Sequence, residues 1–391
     1  MTTYVYAPKD DPYHRGSWRT LYPDAEASNI KALAEVAKEN NMEFCWTIHP
    51  GADYDYTTDS DGNGIVDDYE KIIAKFEQVY SLGVRQFGIG YDDLSDSIAN
   101  GYNHASLIND VYEYLTTKYD DIKPFITVAT KYQNAVGDIW DTYFKPFMET
   151  IPGDTIVLWT GENVWSAITK DYMEYPQTKT GVDKDLGVWW NFPVTDYYYG
   201  HLLMGSLDCL SNDVDNIASF FLNPMSEADA SKVAIYSGAD YSWNTEAFDS
   251  EASWKRAIQE LVPEANEEFE RFADNLTYVS MGYGFFFDES KYLKDDLEAF
   301  ENALSEGVTL EDIEALKFYF EQMISDAQTL RKIENSALLE EITPWLNAYE
   351  ALGVIRQIKC CLIPQIKNNC LRYAEALRSV LFAVISAHCF T

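Results

Sequence analysis

Two adjacent carboxylates, Asp92 and Asp93, follow the β-rich run from Phe87 to Tyr91 and have the residue type for acid-base chemistry. A glycosidase that uses two flanking carboxylates holds them about 5 Å or more apart, on opposite sides of the sugar. Sequence neighbours fit substrate-assisted retention better, in which the substrate's 2-acetamido oxygen attacks the anomeric carbon. One carboxylate then orients the acetamide and the other protonates the leaving oxygen. A helix N-cap or a metal site is the alternative interpretation of the pair.

Other polar and aromatic side chains stand at the ends of β-rich runs, where barrel enzymes carry their reactive groups. These residues are Lys9, His49, Tyr132, Trp159, Thr160, Trp189, Asn191 and Asn223. A phosphate ligand requires Gly-rich loops and several arginines, which this set lacks. One cation, a phenol, amides and indoles therefore predict a neutral sugar as the ligand.

Seven β-rich runs alternate with helical patterns, which predicts a parallel sheet built by βα crossovers. The runs centre on Tyr4, Phe44, Phe87, Phe125, Val157, Val188 and Phe220. Helical spacing occupies Asp24 to Asn40, Asp67 to Leu82, His104 to Tyr119 and Ser226 to Ser237. We therefore predict an α/β fold of the TIM type, a (β/α)8 barrel. Because such a barrel has eight strands, its first strand is expected before Met1 unless another element closes the barrel.

The β-rich runs stop near Ser250, and helical patterns follow over Glu251 to Phe272, Lys291 to Ser305 and Leu310 to Ile333. We predict a catalytic barrel domain over residues 1–249 and a helical domain over residues 250–355. Residues 356–391 form an atypical basic tail, which contains Cys360, Cys361, Cys370 and Cys389. A basic amphipathic helix with a partner, a natural variant end and a shifted reading frame all explain this tail.

The composition limits the function classes. The chain has 64 acidic and 29 basic residues, and its net charge of -35 repels nucleic acid and anionic membranes. It contains neither an apolar run of about 18 residues nor a signal-peptide pattern, which predicts a soluble protein. The cysteines fit no disulfide framework and no zinc spacing, and Cys45 and Cys209 are expected to be buried thiols.

Residues 59–70 have the spacing of a calcium-binding loop. Oxygen ligands stand at loop positions 1, 3, 5, 9 and 12, and Gly64 stands at position 6, where the chain must turn. The predicted ligands are Asp59, Asp61, Asn63, the carbonyl of Ile65, Asp67 and a bidentate Glu70. We expect one structural Ca²⁺ here, and an acidic loop without metal is the alternative.

Several segments, in chain order, carry a resemblance to one known family. They read Tyr4-Val-Tyr-Ala-Pro-Lys-Asp-Asp-Pro-Tyr-His-Arg15, Phe87-Gly-Ile-Gly-Tyr-Asp-Asp-Leu94, Val157-Leu-Trp-Thr-Gly161, Trp189-Trp-Asn-Phe-Pro-Val-Thr-Asp196, Leu222-Asn-Pro-Met-Ser-Glu-Ala-Asp-Ala-Ser-Lys232 and Ala239-Asp-Tyr-Ser-Trp-Asn244. They resemble glycoside hydrolase family 84, the O-GlcNAcases and bacterial β-N-acetylglucosaminidases. The sequence departs from that family in Ala129-Thr-Lys-Tyr132 (for Pro-Thr-Glu-Tyr), in Trp190 (for Asp) and in lacking a first strand with Gly-Phe-Tyr-Gly.

The resemblance implies a role for each matching residue. Asp92 would orient the acetamido group, Asp93 would be the general acid and then the base, and Tyr132 would hydrogen-bond near the forming oxazoline. The expected substrate-binding residues are Lys9, Trp159, Thr160, Trp189, Asn191, Asp196 and Asn223.

The function implied by the resemblance is that of a retaining exo-β-N-acetylglucosaminidase that needs no cofactor for catalysis. Its partners would be glycans or glycoproteins with terminal β-linked N-acetylglucosamine. The alternative from another class is a catalytically weak protein that binds N-acetylglucosamine, and hydrolysis of an aryl N-acetylglucosaminide separates the two.

Overall fold

The computed structural model describes residues 2–135, 137, 139–197, 200–277, 290–306 and 310–362. The chain divides into two compact units. The first comprises residues 1–190 and 213–221, and the second comprises residues 191–212 and 222–391.

The strands form one sheet with the order β1 to β7. Their bounds are Thr3–Tyr6 (β1), Glu43–Ile48 (β2), Gln86–Gly90 (β3), Ile126–Val128 (β4), Ile156–Trp159 (β5), Leu186–Pro193 (β6) and Ile217–Asn223 (β7). Each pair from β1·β2 to β5·β6 is parallel. All seven predicted runs coincide with or adjoin a strand, which confirms the parallel α/β sheet. The described residues contain these seven strands, so the predicted closure into an eight-stranded barrel is not shown.

The close approach of β3 and β4 depends on a glycine. A Cβ atom at Gly88 would lie 2.1 Å from the carbonyl oxygen of Ile126 on β4 and 3.0 Å from Cγ2 of Thr47 on β2. Only a residue without a side chain avoids these clashes. Gly88 therefore lets β3 pack between β2 and β4, and the segments that follow these strands emerge at the same edge of the sheet.

Eleven α-helices lie within the described residues. They are Asp24–Glu39 (α1), Asp67–Ser81 (α2), Gly101–Lys118 (α3), Lys145–Thr150 (α4), Lys170–Thr180 (α5), Lys232–Trp243 (α6), Ser250–Leu261 (α7), Asn266–Asp274 (α8), Lys291–Glu306 (α9), Leu310–Leu330 (α10) and Ser336–Leu362 (α11). None of them is long and apolar enough to cross a membrane.

Two of the predicted helices differ from the observed ones. The pattern from residue 251 to 272 is interrupted at Pro263, because proline fixes φ and lacks the N–H that a continuous helix needs. The pattern from residue 226 begins as a helix only at Lys232, and the amides of Asp229 and Ala230 donate to the carboxylate of Glu341 instead. The predicted tail is helical as far as Leu362, and residues 363–391 lie outside the described part.

Candidate active site

Asp92 and Asp93 lie directly after Tyr91, where β3 ends, and their side chains occupy different environments. The side chain of Asp92 is only 10% exposed, whereas that of Asp93 is 51% exposed. Asp93 has a left-handed backbone with φ of 60°, a conformation that Asp tolerates better than most residues with a side chain. This turn of the backbone separates the two neighbouring carboxylates into a buried and an open one.

The buried carboxylate of Asp92 is held by two side chains. Nη2 of Arg15 donates to Oδ2 across 3.0 Å, and Nε2 of His49 lies 3.4 Å from Oδ1. Burial alone raises the pKa of Asp92, but the His49 hydrogen bond and the charges of His49 and Arg15 outweigh it and lower the pKa to about 2. Asp92 is therefore ionised at neutral pH in spite of its burial.

The open carboxylate of Asp93 accepts a hydrogen bond from Tyr132. The phenol donates to Oδ1 across 2.8 Å, and Nζ of Lys9 lies 3.5 Å from Oδ2. Burial and the neighbouring Asp93 raise the pKa of Tyr132 well above its usual value, so the phenol keeps its proton and acts as a donor. The Lys9 contact is solvent-exposed on both sides and is worth little energetically.

The ring of Tyr132 packs against Trp189 and against apolar side chains of the sheet. Its ring and that of Trp189 have centroids 5.6 Å apart, and both side chains pack against the buried cluster of Cys45, Ile126, Val128 and Leu158. The apolar side chains of the sheet thus support the ring of Tyr132, and the hydroxyl of Tyr132 reaches the carboxylate of Asp93. The first compact unit therefore brings Lys9, Asp92, Asp93, Tyr132 and Trp189 to one edge of the sheet.

Trp159 and Thr160 face the interior instead. Trp159 is 0% exposed and its Nε1 donates to Oδ1 of Asn134. Thr160 is 1% exposed, its amide donates to the carbonyl of Tyr132 across 2.8 Å, and its hydroxyl lies 3.0 Å from that carbonyl and 2.8 Å from the carbonyl of Asn163. Both side chains therefore contact protein groups, and Thr160 fixes the backbone of Tyr132.

The remaining predicted sugar-binding residues belong to the second compact unit. Asn191 lies on β6 and Asn223 ends β7, and the amide nitrogen of Asn223 donates to Oδ1 of Asn191 across 3.0 Å. Asn191 is buried and Asn223 is half-buried, while Asp196 is exposed. The structure thus pairs the two amides directly.

The predicted calcium loop has the expected turn, with φ of 87° at Gly64. Oδ1 of Asp59 accepts from the amides of Gly62 and Asn63, as a loop of this shape requires. However, the carboxylate of Asp67 accepts from the amide and hydroxyl of Ser60, which turns it away from a central ion. The part of the chain that the structure describes holds no group of three or more His, Cys, Asp or Glu residues that could bind a metal.

Sequence reasoning missed the partners of Asp92. The sequence analysis placed His49 at a strand end and included Arg15 in the family-like segment from Tyr4 to Arg15, but it assigned a role to neither residue. A buried carboxylate generally needs a cationic or hydrogen-bonding partner, and the burial of Asp92 is a property of the fold that the sequence analysis did not predict. As for the cysteines, the burial of Cys45 agrees with the prediction, and Cys209 is partly exposed.

Comparison with known proteins shows which family this chain resembles. A sequence model of the family described as beta-N-acetylglucosaminidase matches residues 1–274. Protein O-GlcNAcase of Rattus norvegicus is 27% identical over 255 residues, which are 62% of this chain and 26% of that protein. The chain therefore spans about a quarter of the length of the curated relatives it matches.

Two solved structures are similar over almost the whole chain. The structure of CpGH84B has a TM-score of 0.85 at 29% identity and covers 99% of this chain and 68% of its own. The structure of CpGH84D has a TM-score of 0.84 at 31% identity and covers 96% of this chain and 63% of its own. Since the family match extends over more than half of the residues, the chain belongs to the β-N-acetylglucosaminidases of glycoside hydrolase family 84.

Proposed function

We propose that this chain is a retaining exo-β-N-acetylglucosaminidase that uses the substrate's acetamido group as its nucleophile. The observation that carries the proposal is the contrast between two neighbouring carboxylates, one buried and ionised, the other open and bonded to a phenol. Neighbours of this kind cannot flank a glycosidic bond, but they can serve two adjacent atoms of one substrate.

Asp92 is assigned to the acetamido group. Its charge is fixed by Arg15 and His49, so it can accept the acetamide N–H and stabilise the positive charge that develops as the oxazoline forms. A nucleophile held within the substrate reaches effective molarities of about 10⁵ M or more. The protein therefore needs to orient the acetamide and does not need a nucleophile of its own.

Asp93 is assigned the proton transfers. Its exposed position lets it donate a proton to the leaving oxygen and afterwards exchange with water, which it activates as a base in the second step. The hydroxyl of Tyr132 orients Asp93 across their 2.8 Å hydrogen bond. Tyr132 is thus proposed to aim the acid and to lie near the forming oxazoline.

The sugar ring is proposed to contact Lys9 and Trp189 at this edge of the sheet. For Asn191, Asp196 and Asn223 we propose sugar-binding roles on the strength of the family match, which includes all three positions. For the buried Trp159 and Thr160 we propose supporting roles, Thr160 through its contact with the Tyr132 carbonyl and Trp159 through its hydrogen bond to Asn134. The partners proposed for the site are glycans and glycoproteins that carry terminal β-linked N-acetylglucosamine.

Hydrolysis of an aryl β-N-acetylglucosaminide tests this function. We expect turnover with the β-anomer of N-acetylglucosamine as the first product in an NMR time course, and competitive inhibition by a thiazoline that mimics the oxazoline. An α-anomer first, or an active preparation that ignores the thiazoline, contradicts the mechanism. Binding of the thiazoline without turnover would instead support the weakly catalytic sugar-binding protein.

We also propose that the loop of residues 59–70 binds one structural calcium ion. The residue types fit, since calcium prefers oxygen ligands, and the side-chain Nδ2 of Asn63 donates to Oδ2 of Asp61 across 3.2 Å and to Oε1 of Glu70 across 3.0 Å, so these two carboxylates face the same side chain. Asp67 has to turn away from Ser60 to join them. The ion would stabilise the loop before α2 and take no part in catalysis.

A further inference from the structure

Two side chains from different segments, Arg15 and His49, contact the carboxylate of Asp92. His49 follows β2, and its Nε2 lies 2.8 Å from the carbonyl oxygen of Asp92 and 3.4 Å from Oδ1 of the same residue. Arg15 comes from the segment after β1, and its Nη2 donates to Oδ2 across 3.0 Å. Each carboxylate oxygen therefore faces a nitrogen, and the Nε2–H of His49 lies between Oδ1 and the carbonyl oxygen of Asp92, so rotation of the carboxylate would alter both contacts.

The contact with the backbone carbonyl determines what His49 can do. A carbonyl oxygen only accepts hydrogen bonds, so Nε2 carries a hydrogen in the neutral and in the charged ring alike. His49 therefore presents a permanent donor to Asp92 and cannot take a proton through this nitrogen. The residue is only 6% exposed, so water does not compete for the contact.

His14 links the segment that contains Arg15 to the segment that contains His49. Its Nδ1 donates to the carbonyl of Thr47 across 2.8 Å, and its own carbonyl accepts the amide of His49 across 2.9 Å. Because His14 directly precedes Arg15, these contacts fix the point from which the Arg15 side chain starts. On the other side, Gly90 leaves room, since a Cβ there would lie 3.2 Å from Oδ1 of Asp92 and 3.4 Å from Cδ2 of His49.

We propose that His49 is a positioning residue that sets the orientation of Asp92 towards the substrate's acetamido group, with Arg15 as counter-charge and His14 as anchor. The proposal rests on the proposed function. The ionisable groups that interact with Asp92 or His49 are Arg15, His14, Tyr132 and His104. Of these, Arg15 is the permanent cation, and its Nη2 lies 3.0 Å from Oδ2 of Asp92.

The test compares two variants at position 49 in the full chain. His49→Gln keeps an N–H that reaches the Asp92 carbonyl, whereas His49→Leu keeps the volume and removes the donor. We expect His49→Leu to lower kcat/KM on an aryl β-N-acetylglucosaminide about 10- to 100-fold, because misplacement of a catalytic group by about 1 Å can cost that much. The inhibition constant of a thiazoline should rise by a similar factor, and His49→Gln should restore most of both.

A second measurement does not depend on turnover. NMR titration of isotope-labelled Asp carboxyls, with Asp92→Asn to assign the signal, should show the pKa of Asp92 rising in His49→Leu and returning in His49→Gln. His104→Leu is the matched control, since His104 is also buried, at 2% exposure, but stacks on Tyr91 and bonds to Tyr143. It should lower the melting temperature and leave the pKa of Asp92 unchanged.

These readouts separate the possible failures. A merely structural effect of His49→Leu lowers the active fraction but changes neither the inhibition constant nor the Asp92 titration, and that result overturns the proposal. A wild-type chain that is inactive and ignores the thiazoline contradicts the proposed function. In that case the carboxyl titration still decides whether His49 holds Asp92.

Discussion

The hydroxyl of Tyr132 donates to Oδ1 of Asp93 across 2.8 Å, and this bond joins the segment after β4 to the segment after β3. Its geometry depends on the close packing of those strands at Gly88 and on the hydrogen bonds from Thr160 to the Tyr132 carbonyl. The orientation of the proposed general acid, Asp93, therefore depends on residues that need not contact the substrate.

Tyr132→Phe removes that bond and keeps the ring that packs against Trp189. We expect kcat to fall about 10- to 100-fold, a part of the roughly 10² to 10⁴ that general acid catalysis contributes, with a smaller change in KM. Steady-state kinetics on an aryl β-N-acetylglucosaminide measure both. A rise in KM at constant kcat would place Tyr132 in ground-state binding instead.

Asp93→Ala should depend on the leaving group. Protonation matters only when the departing oxygen is basic, so the loss of rate should be large for an alkyl or sugar leaving group and small for a dinitrophenol. Asp92→Asn should slow both kinds of substrate alike, because the acetamido attack is common to them. Equal losses for Asp93→Ala across the series would remove Asp93 from the role of acid.

Thr160→Val tests the supporting role assigned to a buried residue. The substitution keeps the shape and removes a hydroxyl that lies within hydrogen-bond distance of the carbonyls of Tyr132 and Asn163, which should cost about 1 to 3 kcal/mol of unfolding free energy. The thermal melt should shift downwards and kcat should fall with KM little changed. If KM rises several-fold while the melt is unchanged, Thr160 contacts the sugar as the sequence predicted.

Acid should destabilise the fold in two steps. Burial, the largest contribution, lowers the pKa of His14 and of His104 to about 4, so the stability they contribute is present above about pH 6.5 and is lost as pH falls towards 4. The pKa of Asp92 is lowered to about 2, so its contribution, roughly 2 kcal/mol, is lost between about pH 4 and pH 2. Urea unfolding at each pH measures this, and Asp92→Asn should abolish the second step alone.

Calcium should raise the melting temperature if the loop of residues 59–70 binds it, since a ligand specific for the folded form stabilises that form by mass action. Glu70→Gln, which weakens the proposed bidentate ligand, should abolish the shift. Glu113→Gln, an exposed acid on α3 outside the loop, is the matched control. Identical melts with calcium and with chelator would show that the loop holds no ion.

The elements of the sheet could be predicted from the sequence, whereas the contacts around Asp92 could not. Periodicity located each strand because a buried parallel strand is a short apolar run between turns. Arg15 and Asp92 are 77 residues apart, and no local pattern reports such a contact. Trp159 was assigned to the sugar site as a strand-end residue, but neighbours in a strand face opposite sides, so spacing alone does not specify which way an end residue points.

The calcium loop shows the same limit. Spacing predicted the turn at Gly64 correctly, because a positive φ is a local demand that glycine meets. The orientation of the Asp67 carboxylate depends on whether it binds Ser60 or an ion. The spacing of the loop residues does not specify which of these partners it has.

The left-handed backbone of Asp93 determines which substitution can remove the acid and still keep the local conformation. A reagent that binds modified proteins without cleaving them must lose the acid and keep the shape of the pocket. Alanine at φ of 60° is strained by about 1 to 2 kcal/mol, whereas asparagine adopts this conformation readily and can still accept the Tyr132 hydrogen bond. Under the proposed function, Asp93→Asn is therefore the variant we expect to bind N-acetylglucosamine on proteins without cleaving it.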